Sequence, residues 1–335
     1  MTRARPRVSV CVPVYNGRAY IGECVDSVLG QSFDDFELIV SDNCSTDDTG
    51  EIVRRYADPR IRYVRNTQNL GLVGNANRCL ALASGEYVCI FHHDDVMLPQ
   101  NLARKVACLD AHPGVGFVHS NIMLIDQAGA VLATQSWAED SRRDYVESGA
   151  SVFRRFVMNM PNASLIFIGA VLARKSVYDQ LGRFSQDLPH CNDSEMWMRM
   201  LLFFDAACLG EPLVQYRTYP SSTSGVWGGY DSFAYVKEHH EAVRLLFERY
   251  QAQIPDRRRL LGGVSTKFAS RAVALARAEL ARGNARAARS IVGEAFRISP
   301  RIACTPAFWG ALGATLAGRE GIRIYQKVKA LVKNA

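Results

Sequence analysis

Over the first 112 residues, four short apolar runs alternate with helix-period segments, and this order restricts the chain to an α/β fold with a parallel sheet. Residues 8–13 read as a buried strand, and 36–40, 61–64 and 87–91 as the second, third and fourth strands. Between them lie helical stretches at 20–29, from a cap at Ser45 or Thr46 to Tyr56, and at 75–83, and Pro99 opens a fourth helix that reaches His112. Parallel strands need crossover connections, so the helices cover both faces of the sheet. In such sheets ligands bind outside the carboxyl ends of the strands. The residues that follow each apolar run are therefore the first candidates for chemistry.

The remaining chain is mixed, then helical. Strands are expected at 116–125 and 131–135, joined by a polar turn at 126–129, and again at 167–173 and 212–217. A short helix at 175–181 ends at Gly182, and 193–204 is amphipathic and helical. A Ser/Gly-rich stretch at 221–229 marks a loop or boundary. From about residue 230 the chain is rich in Ala and Arg, with Phe268, Ala272, Leu275 and Leu280 on one apolar face. A break at Gly283–Asn284 precedes another helix that Pro300 ends, and no fixed period repeats this hairpin.

Charge is distributed unevenly. From residue 251 onward there are 16 Lys plus Arg against 4 Asp plus Glu; the whole chain carries +7, so its first 250 residues carry −5. Such asymmetry points to an anionic partner for the C-terminal part. No recognised nucleic-acid module accompanies it, which argues against DNA or RNA. The N-terminus lacks the apolar core of a signal peptide, and the longest apolar stretch, 165–173, is too short to span a bilayer. The expected location is the cytoplasm or the cytosolic face of a membrane. Nine cysteines show neither CxxC nor zinc-ligand spacing and read as reduced, mostly buried thiols.

The strongest local signal is Ile90-Phe91-His92-His93-Asp94-Asp95, an apolar strand that ends in two carboxylates. Adjacent carboxylates at a sheet edge repel unless a cation neutralises them. A hard divalent ion bridged to phosphates suits oxygen ligands of this kind. The competing reading makes Asp94 a helix cap and leaves Asp95 solvated. After the first strand, Val12-Pro13-Val14-Tyr15-Asn16-Gly17 contains neither GxGxxG nor a P-loop, but offers a polar turn with an aromatic ring suited to a nucleobase. Asp42 follows the second strand, where it can accept a base imide N–H or form an Asx turn. Asn69-Leu70-Gly71 follows the third strand at the same edge.

Taken together, VSVCVPVYNG, ELIVSDNCSTDDT and NLGLVGNANRCLALASGEYVCIFHHDD resemble glycosyltransferase family 2, whose fold is GT-A. Gly182-Arg183-Phe184 followed by Asn192-Asp193-Ser194-Glu195-Met196-Trp197 is similar to the family's GxF…ED…W block, and Tyr216-Arg217 with Ser222 and Ser224 to its closing YR…S segment. The resemblance covers about residues 7–225. It implies that Pro13, Tyr15, Asn16 and Asp42 grip the nucleoside, that Asn69 lines the donor pocket, that Asp94 binds the metal with Asp95 beside it, and that Asp193 is the general base. The implied reaction is inverting transfer from a nucleoside-diphosphate sugar, UDP or TDP favoured, with Mg²⁺ or Mn²⁺. The acceptor implied is a glycan or lipid-linked glycan in bacterial surface polysaccharide or glycolipid synthesis. The implied organisation is a GT-A domain over 1–229 and a basic helical extension over 230–335.

Three positions depart from the family pattern. His92 replaces the first aspartate of DxD and is read as a packed strand-end residue in preference to a donor contact. Asn192 replaces the glutamate of the ED pair, and Tyr219 replaces a histidine that is sometimes a metal ligand. These departures sustain an alternative, a binding module that holds the nucleotide sugar without turnover. A sugar nucleotidyltransferase would want a Gly-rich basic loop after the first strand, which VPVYNGR lacks. Met196 and Trp197 read as core, His190 and Cys191 as loop, Asp126 as a turn former, and Gly169 as packing or a close approach. Arg257-Arg258-Arg259 and Arg319, Arg323, Lys327, Lys329 and Lys333 flank Phe308, Trp309, Leu312 and Leu316. That pattern fits a helix on an anionic membrane, or a soluble helical cap or dimer face with solvated arginines.

Overall fold

The apolar runs become strands β1 (Val8–Val14), β2 (Phe36–Asp42), β3 (Ile61–Arg65) and β4 (Tyr87–Ile90) in the computed structural model, which describes residues 5–136, 143–161, 166–220 and 232–316. β2, β3 and β4 join this core in parallel, with Val8 opposite Phe36 and Tyr87, and Leu38 opposite Ile61. Every residue of β1 and β4 is buried, as strands covered on both faces require. The β1–β4 ladder ends with Cys11 opposite Ile90. Two residues on, Pro13 has no N–H to extend it, so the strands part where the candidate residues begin.

The crossover helices are α1 (Ile21–Leu29), α2 (Thr49–Arg54), α3 (Gly71–Leu82) and α4 (Asn101–Ala111). Two of them differ from expectation. α2 is not capped by Ser45 or Thr46; it starts at Thr49, after Asp48. The reason is that both residues are engaged by the β1 loop: the Asn16 amide donates to Ser45 Oγ at 2.9 Å, and the Thr46 amide to Asn16 Oδ1 at 2.8 Å. α3 begins at Gly71 instead of Asn75, through a Gly71 φ of 74° that glycine adopts without cost.

The sheet then becomes mixed. β9 (Val171–Arg174) runs antiparallel between β4 and β6 (Val115–Ile125), and β10 (Asp205–Arg217) runs parallel to β6. The spatial order is β3-β2-β1-β4-β9-β6-β10-β5, with β7 (Val131–Gln135) on β6 and β8 (Tyr145–Glu147) on β10. β5 (Val96–Met97), β8 and α5 (Gly149–Asn159) have no counterpart in the sequence reading, and β10 starts seven residues before the expected 212. Pro212 sits at a register shift of β10 against β6, which is how a long strand tolerates it. α6 (Lys175–Leu181) stops at Gly182 as expected, with φ +92° there, and α7 (Asn192–Leu201) ends before the anticipated Phe204.

The chain divides into two units, Met1–Arg154 with Leu165–Gly225, and Arg155–Ser164 with Val226–Ala335. The second unit contains four described helices where one hairpin was expected: α8 (Phe233–Arg249), α9 (Arg257–Ala281), α10 (Ala285–Ile298) and α11 (Pro306–Leu316). Its core gathers Phe268, Ala272 and Leu280 of α9 with Val292, Ala295 and Phe308. Lys267 Nζ donates to the Met158 carbonyl, which ties that residue to α9. Among the described residues no helix is long and apolar enough to cross a membrane. The 221–229 stretch, with Ser222 and Ser224, and Arg319, Arg323, Lys327, Lys329 and Lys333 lie outside the described residues.

Candidate active site

Because β1 to β4 are parallel, their carboxyl ends fall on one edge, and the loops that follow interlock there. The Asn43 amide donates to Val14 O at 2.8 Å and the Asn66 amide to Asp42 O at 2.8 Å. Tyr15 is 46% exposed at this edge, whereas Pro13 is buried within β1. Asn16 has a φ of 52°, an αL conformation that asparagine tolerates, and its side chain faces the β2 loop. Asp42 is fully buried, accepting from the Ser45 amide at 2.8 Å and from the Tyr63 hydroxyl at 2.5 Å. The Asx-type turn is thus formed, and Asp42 is anchored by Tyr63. Burial and that hydrogen bond push the Tyr63 phenol up to about 12, so it stays a donor at neutral pH.

Asn69 is joined to this edge through Asn43, a residue the sequence reading missed. Asn43 Nδ2 donates to Asn69 Oδ1 at 2.8 Å and to Gly71 O at 3.2 Å. Its Oδ1 accepts from the Leu70 amide at 2.9 Å and from Asn66 Nδ2 at 3.1 Å. One carboxamide thereby fixes the β3–α3 loop against the end of β2. The available signal was its position next to Asp42 in an Asn-rich pair of loops.

At the end of β4, His92, Asp94 and Asp95 come together: one ligand atom from each lies within 4.8 Å of the others. The end of β10 clasps them. Arg217 donates its backbone N–H to Asp95 Oδ1 at 2.9 Å and its Nε to Asp94 O at 2.8 Å. Its Nη2 pairs with Glu23 Oε2 at 2.6 Å, and its guanidinium lies over the Tyr20 ring, 4.6 Å from the centroid. Tyr219 donates to Asp94 Oδ2 at 2.8 Å. Arg217, Glu23 and Tyr20 carried no local signal in the sequence beyond the Tyr216-Arg217 dipeptide. The turn at Asp126 feeds the same clasp, its carbonyl accepting from Arg217 Nη1 at 3.2 Å.

The electrostatics of this corner are those of two crowded carboxylates beside an imidazole. Asp95 is 1% exposed, and its Oδ2 is buried with no hydrogen-bond partner. Burial, and then the charge of Asp94, push the Asp95 carboxyl well above the usual range, against the pull of Arg217. Burial also holds His92 below its ordinary value, in the neutral form that ligates metals. An orphaned buried carboxylate oxygen beside a neutral imidazole and a second carboxylate is a donor set that fits a divalent ion. The His92 side chain is 31% exposed at the strand end, and its Nδ1 lies 3.7 Å from Asp95 Oδ2. Gly169 is the close neighbour here, since a Cβ at that position would lie 3.4 Å from Asp95 Oδ2.

Asp193 stands in the first turn of α7, half-buried, with Oδ1 accepting from the Ser194 amide at 2.6 Å. Burial raises its carboxyl to about 6 in spite of that hydrogen bond. A carboxylate that titrates near neutrality is suited to proton transfer. α7 is held in place by Trp197, whose ring lies 5.6 Å from Phe117 and whose Nε1 donates to Ile166 O at 3.1 Å. Trp197 and Met196 are buried, as expected for core residues. Asn192 turns back to the Pro189 carbonyl at 3.1 Å.

Residues 9–181 match the family described as Glycosyl transferase family 2. A Bacillus subtilis (strain 168) protein provisionally named glycosyltransferase EpsE is 35% identical over 127 residues, 37% of this chain and 46% of that protein. An uncharacterised Mycobacterium tuberculosis protein is 32% identical over 209 residues, 59% of this chain and 63% of its own length. The chain thus spans about half to three-fifths of the length of these two relatives. Among solved structures, S. aureus TarS 1-349 in complex with UDP-GlcNAc superimposes with a TM-score of 0.66 at 18% identity, covering 98% of this chain and 92% of that one. The mannosyltransferase PcManGT from Pyrobaculum calidifontis, in complex with GDP-Man and Mn²⁺, gives a TM-score of 0.53 at 24% identity, with 98% and 85% covered. The fold is GT-A.

Proposed function

The chain belongs to glycosyl transferase family 2, and on that premise we propose that it transfers a sugar from a nucleoside-diphosphate sugar to an acceptor hydroxyl with inversion. The observation that carries this reading is the meeting of four strand-end loops with His92, Asp94 and Asp95 at one sheet edge. Tyr15, Asn16, Pro13 and Asp42 hold the nucleoside, Asn69 lines the donor pocket, and Arg217 and Tyr219 keep the carboxylates in place. A divalent cation, Mg²⁺ or Mn²⁺, held by Asp94 with Asp95 beside it, supplies Lewis-acid neutralisation of charge on the diphosphate. Ionised Asp193 takes the proton of the acceptor hydroxyl, whose oxygen forms the new bond to the anomeric carbon as the bond to the diphosphate breaks. Structural neighbours solved with UDP-GlcNAc and with GDP-Man and Mn²⁺ support a donor of this class. The division of labour proposed is a donor-binding domain over 1–229 and a basic helical extension over 230–335.

A nucleotide screen tests the donor class. UDP, TDP or GDP with Mn²⁺ should raise the midpoint of thermal unfolding by several degrees, since a ligand at 100 times its Kd adds about 2.7 kcal/mol. CMP, which has no diphosphate, should have a smaller effect. No shift with any nucleotide and metal would remove the donor reading.

The acceptor side of the proposal is a glycan or lipid-linked glycan at the cytosolic face of a membrane, in surface polysaccharide or glycolipid synthesis. Support comes from α11, which carries no charged residue and leaves Trp309 59% and Leu316 63% exposed. Around it, residues 251–316 hold 11 basic and 3 acidic side chains. An apolar face among arginines fits the boundary of an anionic bilayer. The protein is expected to sediment with phosphatidylglycerol vesicles and not with phosphatidylcholine, and Trp309→Glu should weaken that binding about tenfold. Equal recovery with both vesicle types, or none, would dismiss the membrane reading.

A further inference from the structure

Resting on the proposed donor–cation site, we propose that His92 is itself a ligand of the cation and turns its preference from Mg²⁺ toward transition-metal ions. The hydrogen bonds around the two aspartates leave one oxygen of each for this role. Asp95 Oδ1 is occupied by the Arg217 amide, while Oδ2 is buried and unpartnered. Asp94 Oδ2 is occupied by the Tyr219 hydroxyl, which leaves Oδ1. His92 Nδ1 lies 3.7 Å from Asp95 Oδ2, too far for a hydrogen bond. Two ligands of one ion can stand at such a separation, because each lies about 2.0–2.6 Å from the metal. The three ligand atoms span no more than 4.8 Å, close to the width of one coordination sphere.

The backbone of His92 is also held. Its carbonyl accepts from the Cys24 thiol at 3.5 Å, and the Asp95 amide donates to the same carbonyl at 3.3 Å. The imidazole therefore starts from a fixed strand end and reaches the carboxylates across a tight turn. A nitrogen ligand matters because Mg²⁺ is small, prefers oxygen and sheds water reluctantly. Imidazole binds first-row transition ions better, and affinity rises from Mn²⁺ to Co²⁺ along that row. A site with His92, Asp94 and Asp95 should consequently rank Co²⁺ and Mn²⁺ above Mg²⁺.

The test is calorimetric titration of Mg²⁺, Mn²⁺ and Co²⁺ into protein saturated with the nucleoside diphosphate chosen by the unfolding screen, for wild type, His92→Asn and His92→Asp. Wild type is expected to bind Mn²⁺ at least about tenfold more tightly than Mg²⁺, and Co²⁺ more tightly still. His92→Asn should cost Mn²⁺ and Co²⁺ about tenfold and Mg²⁺ less than about threefold. His92→Asp should tighten Mg²⁺ relative to the asparagine variant. An equal loss for all three ions in His92→Asn, or no loss, overturns the inference while leaving the donor–cation site in place. Failure of the wild type to bind any of the ions with nucleotide present overturns both. Nucleotide affinity without metal, measured in the same variants, should be unchanged and reports that the pocket is intact.

Discussion

Asp193→Asn is expected to lower the transfer rate by at least about 100-fold, the usual contribution of a positioned general base. Donor binding should stay within a few-fold of wild type, because Asp193 is on α7 and the nucleoside loops follow β1 to β3. Burial lifts the Asp193 carboxyl from 3.8 to about 6, and only the ionised form can take a proton. The rate should therefore fall on the acid side of about pH 6. Stability should respond in the opposite sense. The folded chain holds this proton more tightly than the unfolded one, so the group's stabilising contribution is complete below about pH 4 and is lost as pH rises through about 6. At pH 7 the buried charge opposes folding, and Asp193→Asn is expected to unfold at a temperature equal to or above that of wild type. Loss of activity together with a lower unfolding temperature would mark Asp193 as structural, and full activity would exclude it as the base.

The second large effect is expected at Arg217. Its side chain is 1% exposed, bonded to the carbonyls of Asp94, Asp126 and Gln127 and paired with Glu23. Removing a buried charge from such a network typically costs about 3–5 kcal/mol. For a unit of about 200 residues such as the one that holds it, Arg217→Ala should lower the unfolding temperature by roughly 6–20 °C. Arg217→Lys should recover little of this, because an ammonium cannot reproduce the planar fork that reaches four partners and lies over Tyr20. The same variant should loosen the metal-facing carboxylates and weaken cation binding. A decrease of under about 2 °C would show that the clasp is not what holds this corner.

The parallel half of the fold was legible because β1, β2 and β4 are covered on both faces, so burial is written as apolar runs; β3, at the edge of the sheet, has no fully buried residue and was legible only by its place in the alternation. The site loops were legible for a related reason: the chemistry of a parallel sheet is placed just after those runs. Other elements owe their form to distant partners. β5 has only two residues, and both pair with β10 more than 100 residues later. Arg217 meets Asp95 across 122 positions and Glu23 across 194, distances over which sequence periodicity carries no information. Asn43 went unnoticed because its value lies in four hydrogen bonds to other loops. Ser45 and Thr46 were misread as caps because the same hydroxyl and amide groups serve the β1 loop instead.

The central claim is sugar transfer, and release of nucleoside diphosphate tests it most directly. Wild-type protein and Asp193→Asn would be incubated with UDP-, TDP- and GDP-sugars, Mn²⁺ and a crude bacterial glycolipid extract. One donor is expected to release its diphosphate only when metal and extract are both present, with the sugar recovered on a lipid-linked or glycan product of inverted anomeric configuration. The Asn variant should release almost none. A wild-type protein that binds the nucleotide sugar and metal yet releases no diphosphate with any donor would contradict the account and leave a binding module in its place.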